Sequence, residues 1–321
     1  MEKDNKRRKY IKLISGIIIG ILLSATGVYA VTTIGNGSDI TYSNTDSKLS
    51  STTAQDALDE IYALGHRCPD DHTCFKKKDT LALGDYVKMT PTKSSYTTDT
   101  SKTGYTSSQT INPRELNLWR VISINDGGTV DIISEHISST AVYFKGQTGY
   151  QNFVGYLNVL ASQYENSTYT KGSRHFGYNG QTEYITDTSK FTNPAPWACS
   201  TGGSCNPIES QGGGDKLYTK DYNLVKNVLG TEVASKPDGT AYYYWMASRY
   251  YRYSSTANYA WYGRYVYSLG GVNSNTLYSF NSSGFYSGSA SDSLRPILTL
   301  KSGLKYSGLG TEFYPMEISL S

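Results

Sequence analysis

The 321-residue sequence predicts an α+β domain, with a mixed sheet of short strands and two helices, behind a hydrophobic leader and a short stalk. Three observations predict it. First, Leu118-Trp119-Arg120-Val121-Ile122-Ser123-Ile124 and Val130-Asp131-Ile132-Ile133 flank Asn125-Asp126-Gly127-Gly128, a strong hairpin signal. Second, two stretches with helical periodicity come after it, separated by loops. Third, short strand candidates broken by Gly, Ser and Asn occupy the rest, and that order points to α+β. The length leaves room for one large domain or two small ones plus appendages.

Residues 1–12 form a basic head. Lys3, Lys6, Arg7, Arg8, Lys9 and Lys12 stand against Glu2 and Asp4, a local +4 in a chain of formal charge +3, so the remainder is near −1. A nearly neutral body has no electrostatic footprint for nucleic acid, and no such partner is expected. Residues 13–31 are mostly apolar and close to the ~20 that span a bilayer as a helix. The basic flank places the head in the cytoplasm and exports the remainder of the chain. Two readings stay open. One is an uncleaved transmembrane anchor, giving a single-pass membrane protein with an extracellular C-terminal domain. The other is a signal peptide with Val28-Tyr29-Ala30 as the cleavage site, giving a secreted product.

Residues 32–51, rich in Ser, Thr, Asn, Asp and Gly, read as a flexible linker. A stalk over 52–82 begins with a short amphipathic helix. Ser51 or Thr52 caps it, Ala54, Ala57, Leu58, Ile61 and Leu64 make its apolar stripe, and Gly65 stops it. Such a helix is marginal alone. It packs on its own domain, or residues 52–64 pair with copies as a homo-oligomer; the segment resembles the short oligomerising helices of phage tail fibres, which are commonly trimeric. Cys68 and Cys74 then stand six apart around Pro69-Asp70-Asp71, as do Cys199 and Cys205 around Thr201-Gly202-Gly203. Two local disulfides in an oxidising compartment are the favoured reading. A metal site from His66, Cys68, His72 and Cys74 matches no common zinc spacing, and neither metal nor cofactor is expected.

Residues 83–321 form the globular part, opening near Leu83-Gly84-Asp85-Tyr86-Val87. A Ser/Thr-rich stretch, 90–111, reads as a long loop before the hairpin. Helix candidates lie at 153–164, with Phe153, Leu157, Leu160 and Ala161 on one face, and at 221–229, with Tyr222, Val225 and Leu229 on one face and Gly230 behind. Between them, 172–214 is Gly/Asn/Thr-rich. Strand candidates are 242–247, 261–268 and 294–300. No tandem repeat of fixed period is present.

Twelve tyrosines crowd between Tyr242 and Tyr286, amid Ser, Gly, Asn and Ala, with no Lys or Glu up to Ser293 and Asp292 as the only acid. That is the composition of a paratope: Tyr supplies stiff amphipathic contact area, and Ser, Gly and Asn supply adaptable hydrogen bonds. Within it, Trp245-Met246-Ala247-Ser248-Arg249, Gly263-Arg264-Tyr265-Val266, Gly270-Gly271-Val272 and Leu294-Arg295-Pro296-Ile297-Leu298-Thr299-Leu300 form an ordered series. The series resembles the variable proteins of diversity-generating retroelements, of the membrane-anchored gut Firmicutes type. Met246 stands where Leu is expected, and Ser293 where Gly often precedes Leu-Arg-Pro. The resemblance implies a C-type-lectin-like fold in which landmarks hold a scaffold while adenine-directed copying varies the residues between them, here about 250–293. Adenine changes at AAC codons never give Lys or Glu, in keeping with the composition.

The residues between landmarks are then expected on loops and strand ends of a rigid base. Tyr250, Tyr251, Tyr253, Tyr259, Trp261, Tyr262, Tyr267, Asn273, Asn275, Asn281 and Tyr286 are the candidate ligand contacts, and Arg252 joins them as a hot-spot residue type. Trp119 and Trp245 are assigned to the core, with part of the 242–244 run and one or two residues of 262–267. The expected function is a receptor or adhesin that binds a protein or cell-surface ligand. The alternative is a pilin-like or fibre-like subunit whose Tyr-rich face is an assembly interface. An enzyme needs a positioned nucleophile, base or metal. His136 and His175 are the candidate bases, but neither sits in a motif, and no Gly-x-Ser-x-Gly elbow, Walker loop or His-Glu-x-x-His helix is present. The Glu-Pro-Asn or Gln-Pro-Asp triplet and the Trp-Asn-Asp of calcium-dependent sugar sites are also missing.

Overall fold

Two antiparallel-rich sheets share one aromatic and aliphatic core in the computed structural model, which describes residues 77–173, 183–192, 204–205, 216–255 and 258–321. At 190, 204–205, 216–221 and 253–255 it describes the backbone alone. The basic head, the apolar segment 13–31, the linker, the stalk helix, Cys68, Cys74, Cys199 and His175 lie outside the described residues, as does the Cys205 side chain. Among the described residues no helix is long and apolar enough to cross a membrane.

The chain from Lys78 to Ser321 forms one compact unit of α+β class. It opens with β1 (Tyr86–Lys88), then a small hairpin, β2 (Tyr96–Thr97) and β3 (Thr110–Ile111), with α1 (Thr100–Thr103) between. These lie in the expected long loop. The Asp99 carboxylate accepts from Ser101 N at 2.8 Å and caps α1, giving local order to a polar stretch without periodicity. The expected hairpin forms as β4 (Leu118–Ile124) and β5 (Val130–Ser134). Gly127 and Gly128 take positive φ in its turn, 85° and 78°.

Next come β6 (Val142–Lys145), α2 (Gly146–Ser162), β7 (Thr170–Ser173), β8 (Ser204–Cys205) and α3 (Lys216–Leu229). Both helices start earlier than expected, at Gly146 and Lys216; the first turn of α2, Gly146-Gln147-Thr148-Gly149, carries no apolar residue to mark it. Val225 and Leu229 of α3 pack on Ile122, Ile133 and Ile297, the expected face. The tyrosine segment forms β9 (Tyr244–Ser255), β10 (Asn258–Val266), β11 (Val272–Asn281) and β12 (Gly284–Ser287). The last four strands are β13 (Ser289–Asp292), β14 (Ile297–Leu300), β15 (Lys305–Ser307) and β16 (Met316–Ser319).

The larger sheet runs β15-β16-β1-β4-β5-β14-β7, so the first and last strands are parallel neighbours. The second runs β12-β11-β10-β9-β8, while β13 pairs with β6 just before α2. Trp119 and Trp245 are buried as expected, and each indole N–H donates to a backbone carbonyl, Met89 and Val142, at 2.8 Å. Strands β9 to β12 thus form an antiparallel meander rather than short strands divided by loops, while β13 pairs away from it, with β6. Tyr, Ser and Asn occur on both faces of the meander, so no apolar–polar alternation marks the strands.

Candidate binding face

Strand register sorts the tyrosine segment into two faces. In β9, β10 and β11, Tyr250, Tyr262 and Thr276 lie side by side, and Tyr251, Trp261 and Tyr278 form the neighbouring row. Side chains alternate across a strand, so adjacent rows point to opposite sides of the sheet.

One side packs onto α2. Trp261 sits 5.2 Å from the Phe191, Tyr251 and Tyr278 rings and 5.1 Å from Tyr259. Tyr251, Tyr259 and Trp261 are 0 %, 4 % and 0 % exposed. The structure therefore corrects three candidate ligand contacts: these are core residues, because register turns them toward the helix. Gly263 permits the close approach, since a Cβ there would lie 2.6 Å from the Phe153 ring. Its partner across the ladder, Arg249, is fully buried and donates to the carbonyls of Tyr150 and Gln151 at 3.2 and 3.1 Å, tying β9 to α2.

The other side holds the outward set. Tyr250 and Tyr262 stack with centroids 4.6 Å apart and planes 7° apart. The Tyr250 hydroxyl shares a hydrogen bond with Ser274 Oγ at 2.8 Å, and the Arg264 guanidinium lies 4.6 Å from its ring. Arg264 also donates to Ser248 Oγ and to the Arg249 carbonyl, both at 3.1 Å. Burial pushes the Tyr250 phenol above its ordinary range. Arg252 is exposed on this side, opposite Ala260, and Tyr286 of β12 is 60 % exposed opposite Ser279.

The remaining candidates divide by position. Asn273 is exposed beside the β10–β11 turn. Tyr267 closes that turn, its N–H donating to Gly271 O at 3.0 Å, while its ring stacks 5.2 Å from Tyr243. Asn281 is exposed but its side-chain carbonyl accepts from Ser283 N at 2.8 Å, organising the β11–β12 turn. Asn275 donates to Asp292 Oδ2 at 3.3 Å and so is tied to a buried acid. The Tyr253 side chain lies outside the described residues.

Sequence reasoning missed Ser274 and Thr276, which flank the outward rings, and Phe285, 51 % exposed and stacked 5.4 Å from Tyr278. The first pair lies on β11, and only the β10–β11 pairing, Tyr262 with Thr276 and Arg264 with Ser274, reveals it. Asp292 is 1 % exposed. Burial pushes its carboxyl up to about 8, against the Asn275 hydrogen bond, and Oδ1 has no hydrogen-bond partner among the described residues.

A second polar cluster holds the frame. The Tyr222 hydroxyl donates to Glu232 Oε1, and Gly271 N donates to the same oxygen at 2.9 Å. Arg295 donates to the carbonyls of Glu232 at 2.9 Å and Ser134 at 3.1 Å. Burial acts to raise the Glu232 carboxyl, but the Tyr222 hydroxyl, backbone N–H donors including Gly271 and the nearby Lys226 outweigh it, and the group stays below its usual range. Tyr222, Val225, Glu232, Tyr244, Arg295 and Pro296 line much of a cleft of about 100 Å³ beside this cluster. The polar groups there already bond one another, so the cleft is a packing seam between α3 and the sheets.

For catalysis, His136 is half-buried after β5, and its neighbour Glu135 meets Arg120 at 3.4 Å. No nucleophile bonds His136 among the described residues, and none of their His, Cys, Asp and Glu side chains cluster to hold a metal. No protein-family model, curated protein or solved structure matches the chain.

Proposed function

We propose that the chain is an exported, surface-displayed binding protein, a receptor or adhesin, whose tyrosine meander takes a protein or cell-surface ligand. The observation that carries this reading is the division of the meander. Its inward rings are locked against α2, while its outward side offers Tyr250, Arg252, Tyr262, Ser274, Thr276 and Tyr286 from one continuous sheet. Large rings held in place lose little freedom when a partner docks, so more of the contact energy appears as affinity. Tyr and Arg are also the residue types on which binding energy concentrates.

The domain is proposed as C-type-lectin-like. Support comes from adjacent first and last strands in one sheet, intervening helices, and a separate sheet carrying the tyrosine segment. Residues 13–31 attach the chain to the membrane, and 52–64 are proposed as its oligomerising element. Retroelement diversification of about 250–293 completes the reading. It places change on the outward rows, where a substitution alters the contact surface without opening the core.

Sequencing the 3′ end of the gene and its flanks across sibling isolates tests this. The expected result is a near-copy repeat beside a reverse transcriptase gene, with variation at 250, 252, 262, 274, 276 and 286 and aromatic residues kept at 251, 259 and 261. An invariant 3′ end without a repeat, or variation spread evenly along the chain, would remove the diversification reading.

A further inference from the structure

The outward side of the meander has a charge pattern as well as a shape. Among the described residues Arg252 and Arg264 lie on this side and no carboxylate does. The one acid of the segment, Asp292, is buried and faces Asn275. Arg264 is buried too, its guanidinium set against Tyr250, Ser248 and the Arg249 carbonyl. Arg252 differs: it is exposed and joins no ion pair among the described residues. Two positions along β9, Tyr250 keeps its hydroxyl on Ser274 at 2.8 Å and its ring on Tyr262 at 4.6 Å. A free guanidinium fork therefore stands at the edge of two stacked rings and a fixed pair of hydroxyls.

We propose that the ligand is a protein whose docked surface presents a carboxylate, an Asp or Glu side chain, to Arg252 beside the Tyr250–Tyr262 stack. The proposal rests on the reading of the meander as a binding face. A guanidinium pairs with a carboxylate through two parallel N–H···O bonds, which fixes orientation as well as charge. Rings packed around such a pair exclude water and strengthen it. The number of cations selects the class of partner. A linear polyanion is held by a row of cations, each neutralising one charge along its length. The one exposed arginine that this side carries among the described residues, amid aromatic side chains, suits a single carboxylate in a protein epitope.

The test pans the full-length chain, in detergent micelles, against a displayed library of random peptides. Binders are sorted by their loss on Tyr262→Ala, with the unfolding temperature of that variant checked against the parent. In the sensitive class, Asp or Glu should be enriched over the library. Affinity should fall about tenfold or more on Arg252→Gln and less on Arg252→Lys. Replacing the peptide acid by its amide should abolish the response to Arg252→Gln. Binders lost on Tyr262→Ala yet neutral and indifferent to Arg252→Gln would overturn the carboxylate proposal and leave the binding face standing. An absence of binders sensitive to Tyr262→Ala would sink the binding face and the proposal together. A linear polyglutamate bound as tightly as the peptides, at the same arginine, would replace the protein epitope with a polyanion.

Discussion

Around the β4–β5 hairpin the core is mainly aliphatic: Val121, Ile132, Leu298 and Leu300 are fully buried beside Trp119. Between α2 and β9–β11 it is aromatic, built on Phe144, Phe153, Trp245, Tyr251 and Trp261. At the centre of the first sheet both faces are covered, so an aliphatic residue is buried whichever way it points: Ile132 joins the main core and Ile133 packs under α3. In the second, the same residue type stands on both sides, and consecutive residues have opposite fates. Tyr250 looks out and Tyr251 in; Trp261 looks in and Tyr262 out. A tyrosine-rich sheet thus needs its register before its function can be read, because some of its rings belong to the fold and others to the surface.

The two faces separate most clearly when the two neighbours on β10 are changed one at a time. Trp261→Ala removes a fully buried indole packed among aromatic rings, and should cost roughly 3–5 kcal/mol of stability. Tyr262→Ala removes a half-buried ring from the outward stack and should cost about 1 kcal/mol or less. Urea unfolding of the two variants measures both. Equal losses would mean that the two faces are not distinct.

Much of the aliphatic sheet was legible, and less of the aromatic one. The Asn-Asp-Gly-Gly turn, the buried Trp119 and the Val225–Leu229 face of α3 follow from turn chemistry, bulk and helical spacing. The strands β11 and β12 escaped, because Ser, Asn and Tyr give no contrast between faces. For the same reason the sequence alone does not separate the inward Tyr251, Tyr259 and Trp261 from surface contacts. Asn275 and Asn281 are alike in sequence, yet one braces a buried acid and the other a turn. Only pairing across strands distinguishes them.

Asp292 extends the contrast to pH. Its carboxyl is raised from 3.8 to about 8 by burial. Between those values the folded chain holds one proton more than the unfolded chain. Its contribution is therefore full below about pH 4 and lost as pH rises toward 8, by up to about 1.4 kcal/mol per unit. Asp292→Asn keeps the shape and cannot ionise. It should be more stable than the parent at pH 8 by at least ~2 kcal/mol and should flatten the pH profile of unfolding. A parent and variant with parallel profiles from pH 5 to 8 would show that Asp292 ionises freely in the fold.

Gly263→Ala probes how closely sheet and helix approach. The added methyl would sit 2.6 Å from the Phe153 ring, so the ring or the strand must shift. Overpacking of this kind costs roughly 1–3 kcal/mol. Pairing it with Phe153→Leu should recover part of the loss, since the smaller side chain vacates the contact. A double variant no better than the single would place the strain elsewhere.

The smallest effect belongs to the outward side itself. Tyr250→Phe deletes the hydroxyl that meets Ser274 at 2.8 Å but keeps the ring between Arg264 and Tyr262. One partly solvated hydrogen bond contributes about 0.5–1.5 kcal/mol, and water replaces some of it here. Stability should therefore move by no more than about 1 kcal/mol. Affinity for a ligand on this face should fall by more than stability does, because the hydroxyl is fixed beside Arg252 where a partner's polar group would meet it. A variant that loses stability but binds unchanged would assign Tyr250 to the fold, and would leave Tyr262, Arg252 and Tyr286 as the working part of the face.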